Sequence, residues 1–171
     1  MAVFSDEPEE YQRLDLSLLK NGSIHLYYRL SVLEEDVSWL RGHNYQLDSF
    51  DCSRWETEQV MHEELASRLE FPKYYGKNLD ALNDCLGDVS IPKDGGRVLV
   101  LHRYDVFTAG LQNVAWHVLS IIDRNAWLHL LFGQRLFALV QSDDPLIEFP
   151  LLDSRFVMWN PREWLDKNRG L

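Results

Sequence analysis

Apolar and polar residues alternate in two segments near the start of the chain. The alternating apolar positions are Leu14, Leu16, Leu18, Ile24, Leu26, Tyr28 and Leu30. Such alternation is typical of half-buried strands, and the Asn21-Gly22 pair between the two segments favours a two-residue hairpin turn. The pattern predicts an N-terminal β-hairpin that precedes any helix.

Helical spacing follows the predicted hairpin. Ser31 and Glu34 are spaced as a capping box, which predicts a helix that ends at Gly42. A strand over about 45–51 comes next. A second helix then reaches about residue 70, because apolar residues recur at helical spacing at Met61, Leu65 and Leu69.

Two continuous apolar runs mark strands in the second half of the chain. Residues 98–101 and 136–140 lack polar alternation, which is typical of strands covered on both faces in a parallel sheet. Between them, Thr108 is placed to cap a helical stretch from 109 to about 132 with a break near 123–125. With a further short helix predicted over 79–86, the order from residue 45 is β-α-α-β-α-β. We therefore expect an α/β fold.

The ends of the chain are expected to differ from this central part. A possible strand over 155–159 and a short helix begun by Asn160-Pro161 are predicted in the tail. The resulting division is a flexible acidic tail over 1–10, a hairpin and helix extension over 11–44, a central domain over 45–142, and a packed C-terminal extension over 143–171.

The charge balance restricts the classes of partner. The 171 residues include 27 Asp and Glu against 17 Lys and Arg, a formal net charge of −10. Binding to a nucleic-acid backbone needs a cationic surface, so no nucleic-acid partner is expected. An acidic soluble protein is the simplest interpretation, and a basic protein partner is the more specific one.

Compartment and cofactors follow from a few further features. No apolar stretch approaches the ~20 residues of a membrane helix, and the acidic start does not resemble a secretory signal. Cys52 and Cys85 are too few for a disulfide scaffold or a zinc site, and we expect two buried free thiols in a cytoplasmic protein. No cofactor is predicted.

One short predicted helix carries two like charges on its outer face. Asn78 is a good N-cap for the helix 79–86, and Gly87 ends it. Asp80 lies in the first turn, where the helix dipole favours an anion, but Asp84 lies near the unfavourable end. A like-charge pair at i,i+4 costs about 0.2–0.5 kcal/mol, so the spacing raises the question of function, although a solvated acidic face is the default.

The stretch around this helix resembles a known family. Residues 71–89, "FPKYYGKNLDALNDCLGDV", closely resemble the signature of barstar, the intracellular inhibitor of the ribonuclease barnase. The resemblance extends over somewhat more than half the chain. It implies a small three-stranded parallel sheet covered by helices, with the N-terminal hairpin and helix and the C-terminal extension added to it.

The resemblance also implies a function and a binding surface. In that family, the loop and helix block a ribonuclease active site, with carboxylates in place of the substrate's phosphates. Asp84 matches the principal carboxylate and Asp80 the second one. The partner-binding residues that the resemblance implies are Tyr74, Gly76, Asn78, Leu79, Asp80, Asn83 and Asp84. The expected partner is a basic ribonuclease or nuclease toxin, and the expected protein is a non-enzymatic immunity protein.

Several residues depart from the family pattern. Asn83 stands where a tryptophan is found in the family, and Lys73 and Lys77 add positive charge beside the loop. A further acidic contact from the later helix has Asp123 as its candidate. The partner therefore need not resemble barnase in detail.

Two other interpretations remain open. A barstar-fold interaction module with a non-nuclease partner would account for the extra segments at both ends. An enzyme is the third: Asp80 and Asp84 could form a glycosidase pair, but no sugar-binding aromatic track can be assigned to the same face. The histidines lack metal-ligand spacing, and His62, between acidic residues on a helix, is expected on a solvated face.

Overall fold

The structure is a computed structural model that describes residues 6–166 and 169. Its centre is a five-stranded sheet, parallel throughout, with the strand order β2-β3-β4-β1-β5. The strands are β1 (Ile24–Tyr27), β2 (Tyr45–Asp51), β3 (Gly96–His102), β4 (Leu136–Gln141) and β5 (Met158–Trp159). The family-type sheet β2-β3-β4 is thus extended by one strand from each end of the chain.

Helices cover both faces of the sheet. They are α1 (Leu14–Leu19), α2 (Leu30–Gly42), α3 (Glu58–Arg68), α4 (Leu79–Gly87), α5 (Tyr104–Gly110) and α6 (Gln112–Leu131). Because successive strand residues point to opposite faces, Leu99 and Leu101 pack in the core under α3, α4, α5 and α6. Val98 and Val100 pack in a separate core under α1 and α2. Every residue of β4 is buried, as its continuous apolar run predicts.

The predicted N-terminal hairpin is wrong. Leu14–Leu19 is a helix, and β1 pairs in parallel with β4 and β5 rather than with a preceding strand. Leu14 and Leu18 also satisfy helical i,i+4 spacing, and the intervening Asp15 is fully buried instead of facing solvent. All four residues of β1 are buried, as expected of a strand inside a parallel sheet.

The start of α2 is also stabilised differently from the prediction. Ser31 and Glu34 do not form a capping box, since the helix begins at Leu30 and its N-cap residue makes no side-chain cap bond. The carboxylate of Glu163 instead accepts hydrogen bonds from the backbone N–H groups of Tyr28 and Arg29, each at 2.9 Å. Glu163 lies 134 residues from Arg29, so local sequence pattern cannot identify it as the capping residue.

The long apolar stretch after β3 is divided earlier than predicted. Leu111 (φ −138°, ψ 56°) separates α5 from α6, and α6 runs without a break past Asp123. Thr108 lies inside α5, where its hydroxyl donates to the Tyr104 carbonyl at 2.9 Å, and so it is not a cap. The predicted break near 123–125 is wrong because Asp123 and Asn125 make buried side-chain hydrogen bonds from within the helix.

The C-terminal segment packs on the sheet with little regular structure. The predicted strand over 155–159 is reduced to β5, and Asn160-Pro161 begins turns rather than a helix. The Asn160 amide donates to the Leu26 carbonyl (3.0 Å) and to the Glu163 carboxylate (2.7 Å), which fixes this segment beside β1.

The remaining fold predictions concern the chain ends and membrane spans. Of the expected acidic tail, residues 1–5 lie outside the described residues, and Pro8–Gln12 forms a short 3-10 helix. None of the helices among residues 6–166 is long and apolar enough to cross a membrane. The division of the chain at residues 44/45 and 142/143 stays a prediction.

Candidate functional site

Helix α4 is well fixed on the protein surface. Asn78 caps it as predicted, because its Oδ1 accepts a hydrogen bond from the Ala81 N–H at 2.8 Å. Leu82 and Leu86 are buried in the core, which orients the opposite side of the helix towards solvent. Residues Leu82 and Leu86 therefore form the buried side of the helix.

The outer face of α4 presents two carboxylates. Asp80 and Asp84 are both exposed, and neither carboxylate makes a hydrogen bond or ion pair with any residue in the described part of the chain. Between them, Asn83 is half-buried, and its Oδ1 accepts a hydrogen bond from the Asn125 amide of α6 at 3.1 Å. Asn83 thus joins two helices.

The two cysteine thiols differ in burial. Cys52 is buried and free, as predicted. Cys85 is also free but only half-buried, so the prediction of a buried thiol is wrong for this residue. Burial, together with the nearby negative charges of Asp84 and Asp88, raises the pKa of the Cys85 thiol.

The loop before α4 turns one tyrosine out and one in. Tyr74 is 84% exposed, whereas Tyr75 is buried. The Tyr75 N–H donates to the Pro72 carbonyl at 2.9 Å, which closes the turn. Gly76 lies against the cap: a Cβ there would approach the Asn78 Nδ2 to 3.2 Å. The two neighbouring tyrosines therefore have opposite roles, one exposed to solvent and one in the core.

A buried histidine holds this loop. The Tyr75 hydroxyl donates to His62 Nδ1 at 2.5 Å, and His62 Nε2 lies 3.3 Å from the Glu58 carboxylate. His62 is fully buried, so its predicted place on a solvated face is wrong. Burial lowers the pKa of His62, which favours the neutral ring, whose unprotonated Nδ1 accepts the hydrogen bond from the Tyr75 hydroxyl. The sequence did not indicate this role, because the neighbours of His62 in sequence are acidic and its partner Tyr75 lies 13 residues further on.

A groove between α4 and α6 contains much of the candidate surface. It has a volume of about 490 Å³ and is lined by Leu79, Asp80, Asn83, Asp84, Trp116, His117, Ser120, Ile121, Arg124 and Asp153. Four of the seven predicted site residues therefore line one groove. Tyr74 lines a neighbouring depression, and Gly76 and Asn78 shape the loop that leads into α4.

Two charged residues near the surface behave differently from the sequence predictions. Asp123, the candidate for a further acidic contact, is buried: its Oδ1 accepts from the Ser23 hydroxyl and its Oδ2 from Arg155 Nε, each at 2.6 Å. It is not available to a partner. Lys77 pairs with Glu63 at 3.2 Å, which offsets its charge beside the loop.

Four further residues of the groove were not predicted from the sequence, because no motif marks them. They are Trp116, His117, Arg124 and Asp153.

Comparison with known proteins places this surface in a family. A family model described as "Barstar (barnase inhibitor)" matches residues 45–137, which is more than half of the chain. The chain belongs to the barstar family. The matched range contains the Tyr74 loop, α4, β2, β3 and the first two residues of β4, and both added strands, β1 and β5, lie outside it.

One curated relative agrees with this assignment. The protein named "Putative ribonuclease inhibitor YrdF" from Bacillus subtilis (strain 168) is 42% identical over 73 residues, which cover 42% of this chain and 76% of that protein. A chain in a solved structure titled "Structure of Drosophila ORC bound to AT-rich DNA and Cdc6" is 20% identical with a TM-score of 0.47. This likeness covers 80% of the present chain and 44% of that one, and it is too low to support any inference.

The family assignment confirms the predicted barstar-like α/β fold. It also indicates a ribonuclease inhibitor rather than an enzyme. The individual partner-binding residues stay a prediction, and so does the nature of the nuclease. Within residues 6–166 and 169, no group of three or more His, Cys, Asp or Glu side chains is arranged to hold a metal ion.

Proposed function

We propose that this protein binds and blocks the active site of a basic ribonuclease or nuclease toxin as an immunity protein of the cytoplasm. The observation that carries the proposal is the pair of exposed carboxylates, Asp80 and Asp84, on the outer face of a firmly packed helix. Neither carboxylate has a hydrogen bond or ion pair within the described residues. Membership of the barstar family and the name of the Bacillus relative support the same function.

The chemistry of the carboxylates suits this role. A carboxylate accepts two hydrogen bonds from a guanidinium group, as a phosphate does, and such charge-assisted pairs are strong. Asp80 and Asp84 would therefore occupy the arginine and lysine contacts that a ribonuclease uses for phosphates. The exposed ring of Tyr74 adds rigid contact area next to them.

The net charge of −10 supports fast association with a basic partner. Long-range attraction accelerates encounter at low ionic strength, and salt screens it because the Debye length falls from ~30 Å at 0.01 M to ~8 Å at 0.15 M. Association should therefore slow markedly as salt is added. A rate that does not depend on salt would argue against a steered inhibitor.

An inhibition assay tests the proposal. Purified barnase serves as the probe, and its cleavage of RNA is followed with the parent protein and with the double variant Asp80→Asn/Asp84→Asn. We expect the parent to inhibit and the double variant to lose most of the inhibition. Asp94→Asn, which changes an exposed aspartate outside the groove, should inhibit like the parent. Equal inhibition by the parent and the double variant would contradict the proposed surface.

A second candidate function is a barstar-fold interaction module with a non-nuclease partner. Exposed apolar side chains favour it, since Leu131 and Phe132 at the end of α6 are 62% and 80% exposed and do not line the groove. Failure of the parent to inhibit barnase and related basic ribonucleases would favour this second function.

A further inference from the structure

A single arginine lies among the carboxylates of the groove. Arg124 of α6 lines the same groove as Asp80 and Asp84, and its side chain is 54% exposed. A guanidinium in that position has two unfavourable effects on a cationic partner. It repels the partner's arginines, and its flexible side chain can itself approach the carboxylates that the partner would bind.

Asp153 pairs with this arginine. The Arg124 Nη2 lies 3.5 Å from the Asp153 Oδ2, and both side chains are about half exposed. Asp153 belongs to the C-terminal segment, outside the range that the barstar family model matches. The counter-charge for Arg124 is therefore supplied by a part of the chain that the family match does not include.

The turn that carries Asp153 is held firmly against α6. Leu152 and Arg155 exchange two backbone hydrogen bonds of 2.8 and 2.9 Å, and Leu152 is buried. Arg155 Nε donates to the buried carboxylate of Asp123, the residue that precedes Arg124 on α6. Asp153 therefore lies within reach of Arg124 because its own turn is attached to the same helix.

Asp153 has a left-handed backbone conformation, with φ 54°. Asp and Asn are among the residues that adopt this conformation most readily after glycine. Asp153→Asn therefore preserves the shape and the turn while it removes the charge, and it is a suitable test variant.

We propose that Asp153 is a specificity determinant of the candidate surface, which it protects by pairing with Arg124. With Arg124 held by Asp153, the two charges cancel and Asp80 and Asp84 remain available to a cationic partner. Without Asp153, the arginine turns towards the α4 carboxylates. This inference rests on the proposed function for its purpose, but the pairing itself can be tested without any partner.

The first experiment uses the isolated protein. The side-chain carboxyl ¹³C resonances of Asp80 and Asp84 are recorded for the parent, Asp153→Asn, Arg124→Gln and the double variant. We expect Asp153→Asn to move at least one of the two resonances, and we expect Arg124→Gln to cancel that movement in the double variant. Asp94→Asn is the control for an equal change in net charge. Resonances that do not respond to Asp153→Asn, or that respond equally without Arg124, would overturn the inference.

The second experiment measures association with barnase at low salt by stopped-flow mixing. We expect Asp153→Asn to slow association about threefold, the scale of one rim charge, and to have no more effect than the control Asp94→Asn once Arg124 is replaced by glutamine. An equal slowing in the Arg124→Gln background would mean that Asp153 contacts the nuclease directly, which contradicts the shielding role. If the parent does not bind barnase, the proposed function fails for this nuclease, and the resonances of the first experiment still decide whether Asp153 restrains Arg124. Urea unfolding of each variant verifies that the fold is intact.

Discussion

Two groups of aspartates in this protein have contrasting surroundings. In the interior, Asp15, Asp36 and Asp123 each accept hydrogen bonds from an arginine and from a hydroxyl group. Their partners are Arg13 and Tyr45 for Asp15, Arg162 and Tyr27 for Asp36, and Arg155 and Ser23 for Asp123. On α4, Asp80 and Asp84 have no such partner in the described part of the chain.

The difference shows what each group does for the protein. A buried carboxylate must recover its lost hydration from internal donors, so the interior aspartates are matched within the fold. The α4 carboxylates keep their hydration, and Asp84 stays at a position that the helix dipole disfavours. Internal stability does not explain Asp84, whereas the guanidinium or ammonium group of the proposed partner would.

The largest effect on stability is expected for an interior aspartate. Asp123→Ala leaves the buried Ser23 hydroxyl without its acceptor and Arg155 without its counter-ion, and should lower the free energy of unfolding by about 2–4 kcal/mol. Urea unfolding measures this change. Asp80→Ala is the matched control and should change the value by less than about 0.5 kcal/mol. Similar losses in the two variants would remove the distinction between the groups.

Acid should destabilise the protein through the interior as well. Burial lowers the pKa of His25 from 6.5 to about 4, so the unfolded chain binds a proton that the folded chain does not. The stability that neutral His25 contributes is complete above pH 6.5 and is lost as the pH falls towards 4, by at most about 3 kcal/mol. Urea unfolding at several pH values measures the slope. His25→Gln, which does not titrate, should flatten the slope, and an unchanged slope would contradict this assignment.

A smaller effect is expected where the interior meets the candidate surface. Tyr75→Phe removes the hydroxyl that donates to His62 Nδ1, and should cost about 1–2 kcal/mol of unfolding free energy. Because Tyr75 positions the neighbouring Tyr74, binding to barnase should also weaken. Tyr74→Phe is the comparison, since its exposed ring should leave stability unchanged. Equal stability of Tyr75→Phe and the parent would show that the hydrogen bond does not hold the loop.

Cys85 should give the smallest change. Its thiol is half-buried and free, so Cys85→Ala should lower the free energy of unfolding by about 0.5–1 kcal/mol and leave barnase binding intact. Calorimetric titration and urea unfolding measure the two quantities. Activity that depends on a disulfide between Cys52 and Cys85 would contradict this expectation.

Local sequence pattern was sufficient for the central sheet and for α4. The cap at Asn78, the buried Leu82 and Leu86 and the fully buried β4 follow from short-range spacing, which local rules describe well. The segment over residues 14–18 was misread because three leucines at alternate positions also fit one helical turn. The buried hydrogen bond between Asp15 and Tyr45, 30 residues away, favours the helix over the strand, and local sequence pattern does not show it.

Local sequence pattern also identifies only part of the candidate surface. Asp80 and Asp84 could be found because they break local helix rules within a recognisable motif. His62, Arg124 and Asp153 could not, since each contacts residues distant in sequence: His62 contacts Tyr75, and Arg124 and Asp153 contact each other because a turn is attached to α6.

The measurement that tests the account most directly compares Asp84→Ala with the parent in calorimetric titration against barnase and in urea unfolding. If Asp84 enters a cluster of cations in the nuclease, its removal leaves those cations buried without a counter-charge and should weaken binding by about 2–5 kcal/mol. This range includes values from the barnase–barstar complex itself and is borrowed from it. The free energy of unfolding should stay level or rise by a few tenths of a kcal/mol, because a like-charge pair and an unfavourable dipole contact are removed. Undiminished affinity, or a large loss of stability, would contradict the central claim that Asp84 serves a partner rather than the fold.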